Sequence, residues 1–229
     1  GQNILELGCG WGSLSLWMAS HYPKSSILAV SNSNDQRKYI MKQAQDLGLT
    51  NLKVQTADMN DFNTDQTFDR VISIEMFEHM RNYEALMERI TVWLKLGGKL
   101  FVHIFTHDQI AYPYLDRGPG DWMTRFFFSG GQMPSHDLLP QFATQNLKHM
   151  ESWQISGEHY GKTSRAWLNK MDQSRAAILD LFRQTYGGDQ AKIWFQRWRL
   201  FFMACEELFN FNGGKEWYVS HYLFVKLDD

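Results

Sequence analysis

The stretch Glu6-Leu7-Gly8-Cys9-Gly10-Trp11-Gly12 (ELGCGWG) decides how the rest of the chain is read. It follows a short apolar run, Asn3 to Leu7, and precedes SLSLWMASHY, whose apolar residues recur at helical spacing. Three glycines at alternate positions let backbone approach a ligand, because no Cβ stands in the way. A plain strand-to-helix turn needs one or two glycines and rarely three.

Outward from this loop, strand and helix alternate. Residues 26–30 (SILAV) predict a second strand, and 35–47 an amphipathic helix closed by Gly48. Strands follow at 52–56 and 68–74, a helix at 83–94, and a fifth strand at 99–105 after Gly97-Gly98. Short connections in this order imply an α/β fold, a parallel sheet covered on both faces. The pattern stops near Thr106. Residues 107–150 hold every proline but Pro23, with Gly118, Gly120, Gly130 and Gly131 among aromatics, and predict an irregular insertion over one face. Helical spacing returns from Ser164 to about Phe209, in two segments broken at Gly187-Gly188. The closing EWYVSHYLFVKL suits a last strand through Val219, Tyr222, Phe224 and Val225. The expected division is a core at 1–107, a cover at 108–212 and a returning strand at 213–229.

Composition narrows the function classes. The 229 residues suffice for one domain with a substantial core. A formal charge of −2 gives no general attraction to nucleic acid. Two cysteines, Cys9 and Cys205, are too few for a disulfide framework or a thiolate metal site. No apolar run is long enough to span a membrane, which leaves peripheral contact open, and a cytoplasmic location is expected. The chain opens directly on a strand, which raises the expectation of a further N-terminal portion. Nine Trp, nine Tyr and sixteen Phe concentrate towards the second half and offer an aromatic pocket.

The glycine spacing separates cofactors. A dinucleotide fold calls for G-x-G-x-x-G/A, but here the third glycine comes one position early and Ser13 follows. G-x-G-x-G with Glu6 two places ahead is the pattern of class I methyltransferases that bind S-adenosylmethionine. Glu6, Gly8, Gly10 and Gly12 are therefore cofactor-binding candidates. Ligands of open α/β sheets sit at the carboxyl ends of the strands, which adds Ser31, Asn32, Gln36, Asp58, Met59 and Ile74. Asp58 is equally suited to cap the turn that follows it. Asn32 stands where many members of that superfamily place an acid for the ribose hydroxyls.

Six stretches extend the likeness over nearly the whole chain: ELGCGWGSLSLWMA (6–19), VSNSNDQRKYI (30–40), FDRVISIEMFEHMRNY (68–83), LKLGGKLFVHIFTH (94–107), DWMTRFFFSGGQMPS (121–135) and FFMACEELFNFNGGKEWYVSHY (201–222). With these the chain resembles the cyclopropane-fatty-acid-synthase superfamily, and most closely its coclaurine N-methyltransferase-like branch. The resemblance implies a Rossmann-like seven-stranded, mostly parallel sheet with helices on both faces and a partly helical substrate-binding insertion. It also implies S-adenosylmethionine as cofactor, and a helical segment ahead of the glycine loop. Cyclopropane synthases in this likeness carry glycine where this chain has Glu75, and use a bicarbonate base held by the equivalents of Glu78 and His103 with a late-helix tyrosine. No tyrosine stands at Leu200, Phe201 or Phe202, whereas Glu75, Glu78 and His79 form the E-x-x-E-H of the amine branch. Trp198 and Phe201 match aromatic positions that line the amine pocket, with plain core packing as the other reading, and His103 is a further substrate-binding candidate that could equally be a supporting partner or a buried, hydrogen-bonded ring.

Chemistry at SIEMFEHM (73–80) fits that branch. An alkylamine with a pKa near 10 is protonated all but about one part in a thousand at neutral pH. Methylation therefore needs groups that bind an ammonium, take its proton and aim the nitrogen. A helix starting near Glu75 would place Glu78 and His79 on the same face. The plainer reading is a solvated helix N-terminus, and a metal site lacks further carboxylates nearby. His107 is expected as a supporting partner or as a buried, hydrogen-bonded ring. The expected function is N-methylation of a small or lipid-like amine; the alternatives are methylene transfer to unsaturated lipid chains and non-catalytic S-adenosylmethionine binding.

Overall fold

The computed structural model describes residues 1–128 and 130–227. Ser129, inside one of the matching stretches, and Asp228 and Asp229, at the end of the last segment, lie outside the described residues. Seven strands form one sheet in the order β3-β2-β1-β4-β5-β9-β8. These are β1 (Asn3–Leu7), β2 (Ser26–Ser31), β3 (Leu52–Thr56), β4 (Phe68–Ile74), β5 (Leu94–His107), β8 (Leu147–Ile155) and β9 (Trp217–Lys226). β6 (Tyr112–Pro113) and β7 (Gln132–Met133) make a separate two-stranded ribbon. β1 pairs in parallel with β2 and β4, while β9 runs antiparallel to both of its neighbours, β5 and β8.

Alternation along the strands explains why both faces are covered. Side chains of a strand point alternately to opposite faces. Ile4, Ile27, Ala29, Leu52 and Val54 face one side and meet Met18 and Ala19 of α1 (Ser13–His21) and Ile40 and Ala44 of α2 (Asn34–Asp46). Leu5, Leu7, Val30, Val71 and Val102 face the other side and meet Leu86, Met87, Ile90 and Trp93 of α3 (Tyr83–Trp93). Each such fully buried aliphatic side chain stabilises the fold by about 1.5–3 kcal/mol. The chain winds outward from β1 to β3 and then returns to the other side of β1 at β4. The crevice at this reversal is where the site lies.

Three elements differ from the sequence pattern. β8 falls inside the 108–212 segment assigned to the cover, yet it is the sheet's edge strand. Only Leu147 of β8 is buried, so it carries no apolar run to signal a strand. Helical structure resumes at Gly157 rather than Ser164, because the Ser156 hydroxyl caps the Glu158 N–H. It comprises α5 (Gly157–Gln173), α6 (Arg175–Tyr186) and α7 (Gly188–Asn210), with an additional break at Ser174. The insertion also holds the short α4 (Trp122–Phe126).

Candidate active site

Residues after the ends of β1, β2, β3 and β4 line a cavity of about 530 Å³: Gly8 and Gly10, then Ser31, Asn32 and Gln36, then Asp58 and Met59, then Glu75 and His79, with Asn60, Met76 and Met80 beside them. The glycine loop is pinned by the Gly8 and Cys9 N–H groups, which donate to the Val30 carbonyl at 3.0 and 2.9 Å. Gly10 has φ 52°, and a Cβ there would meet no atom within 4 Å. It would project into open space at the cavity wall. Gly12 has another duty: at φ 80° it precedes α1, and a Cβ would stand 2.6 Å from Ile40. Gly12, Glu6 and Ile74 are absent from the cavity lining.

Glu6 is buried beneath the loop at 2% exposure and accepts a hydrogen bond from the Ser15 hydroxyl of α1. Burial pushes its carboxyl up to about 7, against the opposing effect of that hydrogen bond. Ser31 donates its hydroxyl to Gln36 Oε1 at 2.5 Å, tying the end of β2 to α2. Asp58 Oδ1 accepts from the Asn60 N–H and the Asn60 side-chain amide, each at 2.8 Å, so it closes its own turn while lining the cavity.

At the end of β4 the chain forms no helix through Glu75. Glu75 lies in the left-handed region at φ 51°, and a single 3₁₀ turn covers Phe77–His79. A non-glycine residue held in that region costs on the order of 1–3 kcal/mol, a strain that collects at functional sites. The Glu75 N–H donates to the His103 carbonyl at 3.0 Å. The three expected residues therefore do not share a helix face. Glu78 turns inward to 2% exposure, while the His79 side chain is 56% exposed and 3.7 Å from the Glu78 carboxylate. Tyr83 holds the turn from below by donating its hydroxyl to the Phe77 carbonyl at 3.0 Å. Gly131 packs against it from above, so close that a Cβ would lie 2.2 Å from the Glu78 carbonyl oxygen.

The electrostatics follow from these placements. Burial, reinforced by the nearby Glu75 charge, raises the Glu78 carboxyl well above the ordinary range and favours its neutral form. Its Oε2 has no hydrogen-bond partner among the described residues. Burial lowers the His79 imidazole, against the opposing pull of Glu75. His103 Nε2 is 3.2 Å from Glu75 Oε1, and His103 Nδ1 is 2.9 Å from His221 Nε2 on β9. Tyr160 of α5 faces the same carboxylate. Its phenol is raised first by burial and then by the Glu75 charge.

Tyr160 and His221 carry no local signal: each reaches the site from a distant element. α7 carries no tyrosine at Leu200, Phe201 or Phe202; the phenol under the influence of Glu75 is Tyr160, on α5. Trp198 and Phe201 do not line the cavity; they pack on Phe127 with ring centroids 4.9 and 4.5 Å away. A continuous set of rings links them back through Phe128 to Tyr114, whose hydroxyl is raised chiefly by burial and also by Tyr112, Glu78 and Glu75. His107 serves the scaffold, its Nδ1 accepting from the Gln109 and Ile110 N–H groups at 3.0 and 3.1 Å.

The family model described as mycolic acid cyclopropane synthetase matches residues 1–216. The chain belongs to this family. Within it, (S)-coclaurine N-methyltransferase of Papaver somniferum is 34% identical over 229 residues, 99% of this chain and 65% of that protein. Pavine N-methyltransferase of Thalictrum flavum subsp. glaucum is 33% identical over 229 residues, 99% of this chain and 64% of that protein. The chain thus spans less than two thirds of the length of these relatives. A crystal structure of coclaurine N-methyltransferase bound to N-methylheliamine and SAH superposes with a TM-score of 0.93 at 34% identity, covering 99% of this chain and 68% of that one. The family's seven-stranded α/β methyltransferase fold is the one described above.

Proposed function

We propose that this protein is an S-adenosylmethionine-dependent N-methyltransferase acting on a small amine. The observation that carries the reading is Glu75, held in a strained left-handed conformation with its carboxylate at the cavity, against His103. The relatives named above support it, as does the solved structure with an N-methylated amine and SAH. SAH is what S-adenosylmethionine becomes once its methyl group is given up.

The cavity residues fit that cofactor. Gly10 offers backbone where a Cβ would intrude, Ser31, Asn32 and Gln36 offer hydroxyl and amide groups, and Asp58 offers acceptors next to the apolar Met59. Bound there, the cofactor supplies an electrophilic methyl group. The protein's part is to bring an amine to it with a free lone pair. The Glu75 carboxylate attracts the ammonium and accepts its proton on a carboxylate oxygen. Glu78, kept neutral by burial and by Glu75, adds no second charge to hold the proton back. His79, its proton affinity lowered by burial, is a second acceptor at the wall. General-base assistance of this kind contributes about 10²–10⁴ in rate. Glu6 ties β1 to α1 through Ser15, and Gly12 seats α1 on α2. Trp198 and Phe201, behind Phe127, form the outer part of an aromatic wall for the amine's carbon skeleton.

Tyr160 favours a second reading, methylene transfer to unsaturated lipid chains at a membrane surface, since Glu78, His103 and a tyrosine are the groups a bicarbonate base needs. In this chain His103 already stands 3.2 Å from a built-in carboxylate, Glu75, which supports the amine reading instead. No described helix is long and apolar enough to cross a membrane. A cytoplasmic location belongs to the same proposal, supported by two free thiols, Cys9 and Cys205.

Methyl-labelled S-adenosylmethionine offered with heliamine and, separately, with unsaturated phospholipid vesicles tests the proposal. Label in the amine without added bicarbonate is the expected result. Label confined to lipid, or to neither pool, overturns it.

A further inference from the structure

His221 is distant in sequence from SIEMFEHM, and no motif marks it. The antiparallel register of β5 and β9 sets it directly opposite His103. Cross-strand neighbours project from the same face, and the two rings lie 4.8 Å apart between centroids with an interplanar angle of 36°. The contacts run in series: Glu75 Oε1 to His103 Nε2 at 3.2 Å, then His103 Nδ1 to His221 Nε2 at 2.9 Å. Glu75 lines the cavity, whereas His103 and His221 stand behind it in the sheet.

This arrangement matters for the proton. Methylating an ammonium releases one proton per turnover: the amine loses one proton, takes up the methyl group on its lone pair and leaves as the methylated ammonium, so Glu75 must be emptied before the next. An imidazole accepts at one ring nitrogen while donating from the other. We propose that His221 positions His103 and receives the protons that leave the cavity through Glu75 and His103. The inference rests on the amine reading above. Once Glu75 holds the proton, its O–H bond breaks as His103 Nε2–H forms. His103 Nδ1–H breaks as His221 Nε2–H forms, and His221 Nδ1–H passes to water. Three transfers leave both rings neutral in the opposite tautomer, and proton exchange with water at each ring restores the starting tautomers before the next turnover.

The surroundings suit this role. His221 is half-buried, with Phe101 at 5.2 Å between ring centroids and Trp153 opposite it on β8. Burial first, and then His103, lowers its imidazole, which keeps it an acceptor. Glu78, His79, Tyr114 and Tyr160 lie around Glu75 on their own elements; among the described residues the titratable group against His221 is His103.

The full chain is compared with His221→Gln and His221→Phe, using heliamine as the probe. Glutamine still accepts a hydrogen bond from His103 Nδ1 but cannot relay a proton; phenylalanine does neither. The expected result is a tenfold or greater loss of kcat in both variants, with KM for heliamine within about threefold. S-adenosylhomocysteine affinity stays unchanged, and added imidazole recovers part of the His221→Phe loss. A KM increase without kcat loss, or full activity in both, overturns the proposal. A second measurement is independent of any substrate: nitrogen NMR of the histidine rings in the free protein. The His103 Nδ1 signal should carry the mark of a hydrogen bond to the His221 ring, lost in His221→Phe and kept in His221→Gln. An unchanged His103 Nδ1 signal in His221→Phe overturns the proposal even if an amine is methylated. If no amine is methylated while the hydrogen bond is found, the amine reading fails instead.

Discussion

The Nε2 atom of His103 stands 3.2 Å from Oε1 of Glu75, and the Glu75 N–H in turn donates to the His103 carbonyl. Two adjacent parallel strands, β4 and β5, thus present one acid and one imidazole to each other at their carboxyl ends. The backbone contact fixes the residue after the strand, and the side-chain contact fixes the carboxylate at the cavity.

Replacing that acid by its amide should separate binding from turnover. Glu75→Gln keeps the shape but neither attracts an ammonium nor accepts its proton. The expected loss in kcat is about 10²–10⁴, with S-adenosylhomocysteine binding by calorimetry retained. Equal loss of both would assign Glu75 to the fold.

Strain at Glu75 makes a different prediction. At φ 51° an alanine keeps the left-handed penalty, whereas glycine does not. Glu75→Gly should be more stable than Glu75→Ala by about 1 kcal/mol in urea melts. Glu75→Gly also frees His103, so added bicarbonate should restore part of its lost activity and do nothing for the parent. Equal stabilities would remove the strain argument, and no response to bicarbonate would remove the built-in carboxylate.

Glu6 gives the stability a pH dependence of known sign. Its folded carboxyl, at about 7, lies above the ordinary value of 4.5, so the native state holds a proton that the unfolded chain has lost. Its contribution is present in full below about 4.5 and is lost as pH rises to about 7. The change is on the order of 3 kcal/mol over that window. Denaturation of Glu6→Gln across the same pH range should lack this component; parallel curves for the two proteins would refute it.

Gly10 and Gly48 form a matched pair. Both have positive φ, and a Cβ at either meets nothing within 4 Å. Alanine at either position should cost about 1 kcal/mol of stability. Only Gly10→Ala, at the cavity wall, should weaken S-adenosylhomocysteine binding, by tenfold or more. Equal affinities in the two variants would show that Gly10 does not face the ligand.

Much of the fold is legible in the chain because its cues are local. The alternation of Ile4, Leu5, Glu6 and Leu7, and the glycines at 8, 10 and 12, report on neighbours a few residues away. They are enough for a parallel sheet with a ligand at its carboxyl edge. β8 escapes because an edge strand with one buried residue has no apolar pattern to display. At the site, Ser31, Asn32, Asp58, Met59 and Glu75 come from strand ends, and a strand end is visible in sequence.

Direction and long-range contact are another matter. The chain by itself determined that Glu75, Glu78 and His79 would cluster after the fourth strand, and that an α/β sheet would carry them. The tertiary structure alone decided that Glu78 points inward and His79 outward, through one strained dihedral at Glu75. It also brought Tyr160 from α5 within electrostatic reach of Glu75 and His221 from β9 onto His103, and left Trp198 and Phe201 packed on Phe127. Those contacts depend on strand register and helix packing between residues far apart in sequence, which no local spacing encodes.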